Sequence, residues 1–593
     1  MNKINRVSFL KMGTSLMLWP LLKQAAGSAN PVREKGGEML DTEMMNRLIA
    51  ANDKHAGTLM DAIRPELLNF SRKTGYDFAV LAAAYCSKES SYYHNKLVGE
   101  KLGLLVDFLA AAQSDDGTVN IGNLESPPDT AFLLEILCPA AAILKKDNAP
   151  DLNAVQKKLK SVIVKAGEAL SVGGVHTPNH RWVICAALAQ INTLFPDKKY
   201  TRRIDEWMQE GIYMDKDGHY PERSGLYSGV ENNSMLTMAR LLDKPALLDP
   251  IRKNLGMMYY YMEPDGDLVT VDSRRQDQYI AKTHVSFYQY YRYMAIRDQN
   301  PFFAAIARQI EGADGFEDEV LKTSLYMFLE NELLQKPLPT PNALPVHYER
   351  LFTTSHLLRL RRENTTATLF GGVDWPLIIA SGRSCSPNFF MFRKGDAVLQ
   401  YMRLSSDFFN TGYFYSDGLR KEGDQYILYR ELEVPYYQPL PENKRKKDGD
   451  YKLSPSIDGR FWNKMDFEDR PVSNVKILET TVIFTATDGN IRLDCRVDGF
   501  EGVPVTIELC FEEGGNLAGV TNAGNDNYFL EQGMAAYTKG KDKIRFGPGK
   551  MAHKSISHLE GERYSTHFGS LRTTGMHVFI TGKTPLQHSL IFS

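Results

Sequence analysis

Apolar residues recur at intervals of three and four positions between about Met39 and Leu338, and this spacing predicts a succession of α-helices. Long polar connections that contain glycine separate the helical segments, whereas the connections of an open solenoid are usually short. The pattern therefore favours a closed (α/α) toroid, an incomplete α/α barrel whose loops line a cleft. The clearest helical segments are "DFAVLAAAYCSKES", "TAFLLEILCPAAAILKK", "RWVICAALAQINTLF", "NSMLTMARLL" and "FFAAIARQIEG".

A proline-rich segment, Pro337 to Pro345, ends the helical pattern. Beyond it, apolar and polar residues alternate with period two, which predicts antiparallel strands joined by glycine-containing turns. The strands are numerous enough to build a large antiparallel β-sandwich. The sequence thus predicts a multidomain α+β protein with a toroid domain over residues 30–340 and a β-sandwich domain over residues 346–593.

The first 29 residues have the pattern of a secretory signal peptide. Lys3, Arg6 and Lys11 precede the short apolar run Leu16 to Leu22, and small residues follow at positions 25–29. We therefore expect residues 1–29 to be removed and the mature protein to be periplasmic or secreted. No later stretch contains 18 uncharged apolar residues, so we expect no stable membrane insertion.

Composition excludes some partners and leaves others open. The chain has 70 basic and 72 acidic residues, so its net charge of -2 provides no general attraction for nucleic acid. The basic run Lys444 to Lys447 is typical of a solvated loop, with contact to an anionic substrate as the alternative. Six cysteines are scattered without metal-like spacing, which favours buried thiols. The sequence does not determine the oligomeric state.

Two loops carry polar residues in front of apolar helices. In the loop from Glu125 to Thr130, Asp129 is either the N-cap of the helix "TAFLLEIL" or part of a cleft wall. In the second loop, Asn179 is either a cap or part of a receptor formed with His180 and Arg181. Because a helix N-terminus favours anions, an amide, an imidazole and a guanidinium placed there suit a carboxylate ligand.

A third loop, from Asp217 to Asn233, places two tyrosines near charged residues. Tyr220 and Tyr227 flank Glu222 and Arg223. Loop tyrosines are commonly packing residues, but a nearby guanidinium favours the phenolate, so one of them could act as acid or base.

With "NHRW" opening one helix and "DGHYPERSGLYS" following about 40 residues later, the chain resembles the heparinase II/III-like and alginate-lyase-like polysaccharide lyases. The resemblance implies a toroid packed on a β-sandwich, with Asn179 and His180 engaging a uronate carboxylate. Glu222 to Tyr227 is similar to the family's E-x-S-x-x-Y pattern, which implies that Tyr227 is the catalytic tyrosine, with Tyr220 as its reserve. The family also uses a sandwich residue, for which the candidates are His356, Tyr413 and Tyr415.

These observations predict an enzyme that cleaves an acidic polysaccharide or oligosaccharide by β-elimination, without a metal or organic cofactor. The predicted catalytic residues are Asn179, His180 and Tyr227, and the predicted substrate-binding residues are Arg181, Tyr220, Glu222, Arg223, His356, Tyr413 and Tyr415. One alternative is a glycoside hydrolase that uses two carboxyl groups from among Glu125, Asp129, Asp217 and Glu222. The other is a glycan-binding protein without catalytic activity.

Overall fold

The three- and four-residue spacing folds as predicted into α-helices. A computed structural model describes residues 40–279, 283–372, 386–409, 411–455, 462–487, 489–555 and 574–593. The predicted signal peptide lies outside these residues. The α-helices are α1 (Thr42–Ala62), α2 (Arg72–Cys86), α3 (Lys96–Ala112), α4 (Pro127–Asp147), α5 (Asn153–Val172), α6 (His180–Leu194), α7 (Lys198–Met208), α8 (Gly225–Leu241), α9 (Leu248–Met258), α10 (Tyr288–Asp298), α11 (Pro301–Glu311) and α12 (Leu325–Glu330).

The even-numbered helices form an inner ring, and the odd-numbered helices pack outside it. Side chains of α2, α4, α6, α8, α10 and α12 line a cavity at the centre of the ring. Helix α4 is long and apolar enough to cross a membrane, but 78% of its most apolar window is buried in the fold. Such burial is typical of the core helix of a globular domain.

Polar side chains fix where several helices begin, although not always as the sequence suggested. Ser126, rather than Asp129, caps α4, because its Oγ accepts the Asp129 N–H at 3.2 Å. Asp129 lies in the first turn and forms an ion pair with Arg72 at 2.6 Å. Asn179 occupies the N-cap position of α6, but its side chain makes no capping hydrogen bond. Its amide is therefore available for another role.

The C-terminal half is a sandwich of two large sheets. Its strands are β3 (His347–Phe352), β4 (Leu357–Arg362), β5 (Thr365–Phe370), β6 (Phe390–Lys394), β7 (Ala397–Ser406), β8 (Leu419–Glu422), β9 (Gln425–Tyr437), β10 (Ser454–Pro455), β11 (Trp462–Asn463), β12 (Val472–Thr487), β13 (Asn490–Gly499), β14 (Pro504–Phe511), β15 (Asn516–Ala518), β16 (Thr521–Gly524), β17 (Asn527–Phe529), β18 (Ala535–Lys539), β19 (Asp542–Gly547), β20 (Met576–Lys583) and β21 (Leu586–Phe592); β1 (Val119–Ile121) and β2 (Asn123–Ser126) form a hairpin before α4.

One sheet has the strand order β15-β18-β19-β21-β13-β12-β9-β8, and the other has the order β16-β17-β20-β14-β7-β6-β5-β4-β3. Neighbouring strands in both sheets are antiparallel except for β17 and β20. Alternate residues of the two sheets meet in one apolar core, as expected for face-to-face packing. The predicted toroid and antiparallel β-sandwich are therefore confirmed.

Buried charges join the two halves. Arg359 on β4 is fully buried and donates to Glu263 Oε1 at 2.8 Å and to the Tyr260 carbonyl at 2.9 Å. Thr366 on β5 donates to Glu263 Oε2 at 2.6 Å. Because these partners come from both halves, the sandwich is held at a fixed position beside the segment that follows α9.

Candidate active site

The beginnings of α6 and α8 meet at a buried carboxylate. Asn179 Nδ2, at the start of α6, donates to Glu222 Oε2 at 2.7 Å. Arg275 donates from Nη1 to Glu222 Oε1 and from Nη2 to the Tyr227 hydroxyl oxygen, the latter at 2.9 Å. The Arg275 guanidinium also lies 4.1 Å from the centre of the Tyr227 ring. These four residues form a connected cluster, with Glu222 at its centre.

Local structure explains how the sequence "ERSGLY" places Glu222 and Tyr227 together. Arg223 has a left-handed backbone (φ 45°), which is uncommon for a residue with a side chain and turns the chain sharply into α8. Ser224 caps α8 by accepting the Tyr227 N–H at 3.1 Å. Its hydroxyl donates to Asp277 at 2.8 Å and so ties α8 to the segment that carries Arg275.

Burial controls the charge of Glu222 and His180. Glu222 is fully buried, and this burial raises its pKa, although Arg275 and Asn179 oppose the shift. Burial, assisted by the nearby His176, lowers the pKa of His180 to about 4. His180 is therefore an uncharged imidazole at neutral pH. Its Nδ1 is buried without a hydrogen-bond partner among the described residues.

The other residues predicted from the helical half lie in different surroundings. Arg181 points to the side of α6, where it pairs with Glu210 at 2.7 Å and packs on Trp182, so it is engaged away from the cluster. Tyr220 is 1% exposed and donates to Asn232 at 3.0 Å. Burial in the core is incompatible with the predicted contact between Tyr220 and substrate. Arg223 is buried and donates to the Thr354 carbonyl at 3.3 Å.

The sandwich brings one turn to this region. Thr354, between β3 and β4, donates through its hydroxyl to Asp215 at 2.6 Å and to Asp217 at 2.7 Å. This turn carries His356, which is half-buried and has a left-handed backbone. Of the three sandwich residues predicted from the sequence, His356 is therefore the one whose turn contacts the loop preceding α8.

Tyr413 and Tyr415 belong to the packing of the sandwich. Tyr413 is 5% exposed, and the Arg403 guanidinium lies 4.8 Å from its ring centre. Tyr415 is 3% exposed. Both rings are therefore largely enclosed by the protein, and their predicted role as the sandwich residue that contacts substrate stays a prediction.

The four carboxyl groups considered for hydrolysis lie in different surroundings. Asp129 is paired with Arg72, Asp217 accepts from Thr354, and Glu222 is paired with Arg275. Glu125 is exposed at the end of β2. Asp129, Asp217 and Glu222 thus each have an ion-pair or hydrogen-bond partner within the protein.

Sequence reasoning missed Arg275. It lies in "VDSRRQDQY", a polar loop without periodicity, and only folding brings it next to Glu222 and Tyr227. A second missed group consists of Tyr261, His219 and Asp272: the Tyr261 hydroxyl contacts His219 Nε2 at 2.9 Å and donates to Asp272 at 2.8 Å. Across the described ranges, no three His, Cys, Asp or Glu side chains are grouped as metal ligands.

No protein-family model and no curated protein matches the sequence. Among solved structures, the chain is similar to a chondroitin AC lyase from Streptomyces coelicolor A3, with a TM-score of 0.55 and 13% identity over 92% of this chain and 79% of that chain. It is also similar to heparinase III, with a TM-score of 0.52 and 11% identity over 87% of this chain and 75% of that chain. The chain has a polysaccharide-lyase-like fold.

A Paenibacillus xanthan lyase shares this fold, with a TM-score of 0.54 and 11% identity over 93% of this chain and 57% of that chain. The predicted resemblance to heparinase-like lyases is thus confirmed for the fold. At such low identities the likeness concerns the architecture, and the chemistry has to be argued from the residues themselves.

Proposed function

We propose that this protein is a polysaccharide lyase that cleaves a uronic-acid-containing polysaccharide or oligosaccharide by β-elimination. The observation that carries the proposal is the contact between Arg275 and the Tyr227 hydroxyl, within the cluster that also holds Asn179 and Glu222. The uncharged His180 follows Asn179 directly in the chain. The fold shared with polysaccharide lyases supports it. The signal-like N-terminus supports export of the enzyme to the periplasm or the medium.

Arg275 provides positive charge where the reaction needs it. Removal of the C5 proton of a uronate places negative charge on the neighbouring carboxylate, so the site must stabilise a dianion-like intermediate. His180 is uncharged at neutral pH and contributes hydrogen bonds. The cationic contribution therefore comes from Arg275, where the sequence suggested Arg181. One well-placed donor at such a site is typically worth about 3 kcal/mol.

The side-chain amide of Asn179 can turn over, which exchanges the positions of its oxygen and its nitrogen relative to the substrate. Its Nδ2 donates to Glu222, while its Oδ1 is buried without a hydrogen-bond partner among the described residues. Burial raises the pKa of Glu222, which eases uptake of a proton, and a protonated Glu222 can donate to the amide oxygen. After the amide has turned over to accept that bond, Nδ2 is released to bind the uronate carboxylate.

Tyr227 carries the proton transfer. Tyr227, whose hydroxyl oxygen accepts from Arg275, acts as the base that removes the C5 proton, the electron pair forms the C4–C5 double bond, and the C4–O bond breaks. The leaving oxygen then takes this proton from the Tyr227 hydroxyl, which returns to its starting state. Tyr227 is half-buried in the first turn of α8, so part of its side chain is exposed.

The test is a panel of acidic glycans that includes heparan sulfate, hyaluronan, alginate and glucuronan. Formation of the C4–C5 double bond is followed by its ultraviolet absorbance. We expect one polymer to yield an absorbing product with the wild type and a rate lower by about 10²–10⁴-fold with Tyr227→Phe. Tyr213→Phe is the matched control, because Tyr213 is an exposed tyrosine of the same domain.

Shortening of a polymer without ultraviolet absorbance would refute elimination and indicate hydrolysis. Activity of Tyr227→Phe within tenfold of the wild type would refute the role of this phenol while leaving the fold assignment intact.

A further inference from the structure

The cavity inside the ring of inner helices is separate from the cluster but adjacent to it. Its volume is about 310 Å³, and Leu226, Gly229 and Val230 of α8 line it. These residues lie on the same helical turns as Tyr227. Phe132 also lines the cavity, and its ring lies edge-on to that of His180, with 6.0 Å between the ring centres. The wall of the cavity therefore borders the groups proposed to act on substrate.

The cavity combines aromatic rings with a chain of hydrogen-bonding groups. Gln289 donates to Asn233 at 3.4 Å, and Asn233 donates to Glu135 Oε1 at 3.1 Å. Tyr76 and Tyr290 supply ring surface in the same space. Aromatic surface with a few oriented polar groups is the usual lining of a site for a small, hydroxyl-rich ligand.

Two residues of the cavity wall, Gln190 and Tyr326, each carry a buried polar atom that has no hydrogen-bond partner among the described residues. The Tyr326 hydroxyl and Gln190 Oε1 are buried, and neither has a hydrogen-bond partner within the described part of the chain. Most buried polar groups in proteins are hydrogen-bonded. Because both residues line the cavity, a ligand bound there can donate to Gln190 and bond to Tyr326.

The charges in the wall are balanced. Arg72 pairs with Asp129 at 2.6 Å, and Arg240 pairs with Glu330 at 2.7 Å. Burial raises the pKa of Glu135 to about 8, so this carboxyl group is mainly protonated at neutral pH. A cavity without net charge favours an uncharged ligand over a uronate, since an anion would be desolvated without a counter-ion.

We propose that this cavity binds an uncharged sugar residue of the substrate, next to the uronate that is cleaved. The inference rests on the proposed function and deepens it: the substrate contains a neutral pyranose as well as a uronate. The volume lies at the lower end of the range of about 300–1,000 Å³ for small-molecule sites and so suits a single sugar ring. Leu226, which precedes Tyr227 in the chain, lines the cavity and is exposed.

Ligand-observed NMR on the full-length protein tests the proposal. The probes are the methyl glycosides of glucose, galactose and rhamnose, with sodium glucuronate as the charged comparison. We expect saturation transfer to at least one neutral glycoside, weaker transfer to glucuronate, and about fivefold weaker binding to Tyr326→Phe. Thermal unfolding of Tyr326→Phe should occur at the wild-type temperature or above, because the deleted hydroxyl has no partner within the described residues.

Tyr213→Phe, which changes an exposed tyrosine outside the cavity, should bind the glycosides like the wild type. Absence of binding to every neutral glycoside, or equal binding by Tyr326→Phe, overturns the proposal. With a cleavable polymer in hand, a KM raised about fivefold at unchanged kcat in Tyr326→Phe supports it, and an unchanged KM overturns it. If the protein binds a neutral glycoside but forms no unsaturated product from any polymer, the proposed lyase function is overturned while the sugar-binding cavity is supported.

Discussion

Glu135 should make the stability of the toroid depend on pH. Its carboxyl group lies in the central cavity, where Oε1 accepts from Asn233 at 3.1 Å and from Ser234 at 3.4 Å. These donors and the charge of Arg72 oppose the effect of burial, but burial dominates and raises the pKa from 4.5 to about 8. The folded protein therefore retains a proton that the unfolded chain loses.

The sign of the effect follows from where the proton is bound. Below pH 4.5 both the folded and the unfolded protein carry the proton, so Glu135 does not lower the free energy of unfolding. As the pH rises towards 8, the unfolded chain ionises first, and the free energy of unfolding falls. The span from 4.5 to about 8 corresponds to a loss on the order of 5 kcal/mol.

Glu135→Gln removes this loss, because an amide of the same shape cannot ionise. We expect the variant to match the wild type near pH 4.5 and to exceed it increasingly towards pH 8 and above. Urea unfolding followed by the helical circular dichroism signal, at intervals from pH 4.5 to 9, measures the difference. Glu168→Gln on α5 is the control, since Glu168 forms an exposed pair with Lys199. Parallel pH profiles for wild type and Glu135→Gln would refute the reasoning.

Three further predictions concern partners identified in the structure. Arg275→Lys should lower kcat at least tenfold, because one ammonium cannot reproduce the planar fork that contacts Glu222 and Tyr227; an unchanged kcat would contradict the proposed charge stabilisation. Tyr220→Phe should lower the free energy of unfolding by about 1 kcal/mol and leave the activity of the folded protein unchanged, since it removes one buried hydrogen bond; activity loss like that of Tyr227→Phe would restore Tyr220 as a catalytic candidate. Arg359→Met should lower the free energy of unfolding by about 3–5 kcal/mol, because it leaves the buried Glu263 without its ion-pair partner. Arg362→Met, on the exposed face of β4, should have little effect in the same denaturation assay.

Periodicity, together with the length of the polar connections and the proline-rich boundary, was sufficient to predict the architecture. The spacing of apolar residues, helical before Pro337 and alternating after Pro345, indicates which side chains face a core. Burial of these side chains stabilises the helices and sheets. The motifs "NHRW" and "ERSGLY" led to Asn179, Glu222 and Tyr227 because each lies next to a helix start, where local sequence determines the backbone.

Tertiary structure decided which of these groups share a cluster. Arg181 follows His180 directly, yet the turn of α6 directs it towards Glu210. Arg275, more than 90 positions later in the chain, reaches Glu222. Tyr220 and Tyr227 look alike in sequence, but packing buries the first and leaves the second half-exposed. The charge states of His180, Glu222 and Glu135 depend on desolvation by residues distant along the chain. Sequence therefore determined the elements and their order, and the packing of those elements determined which side chains meet and which of them carry charge.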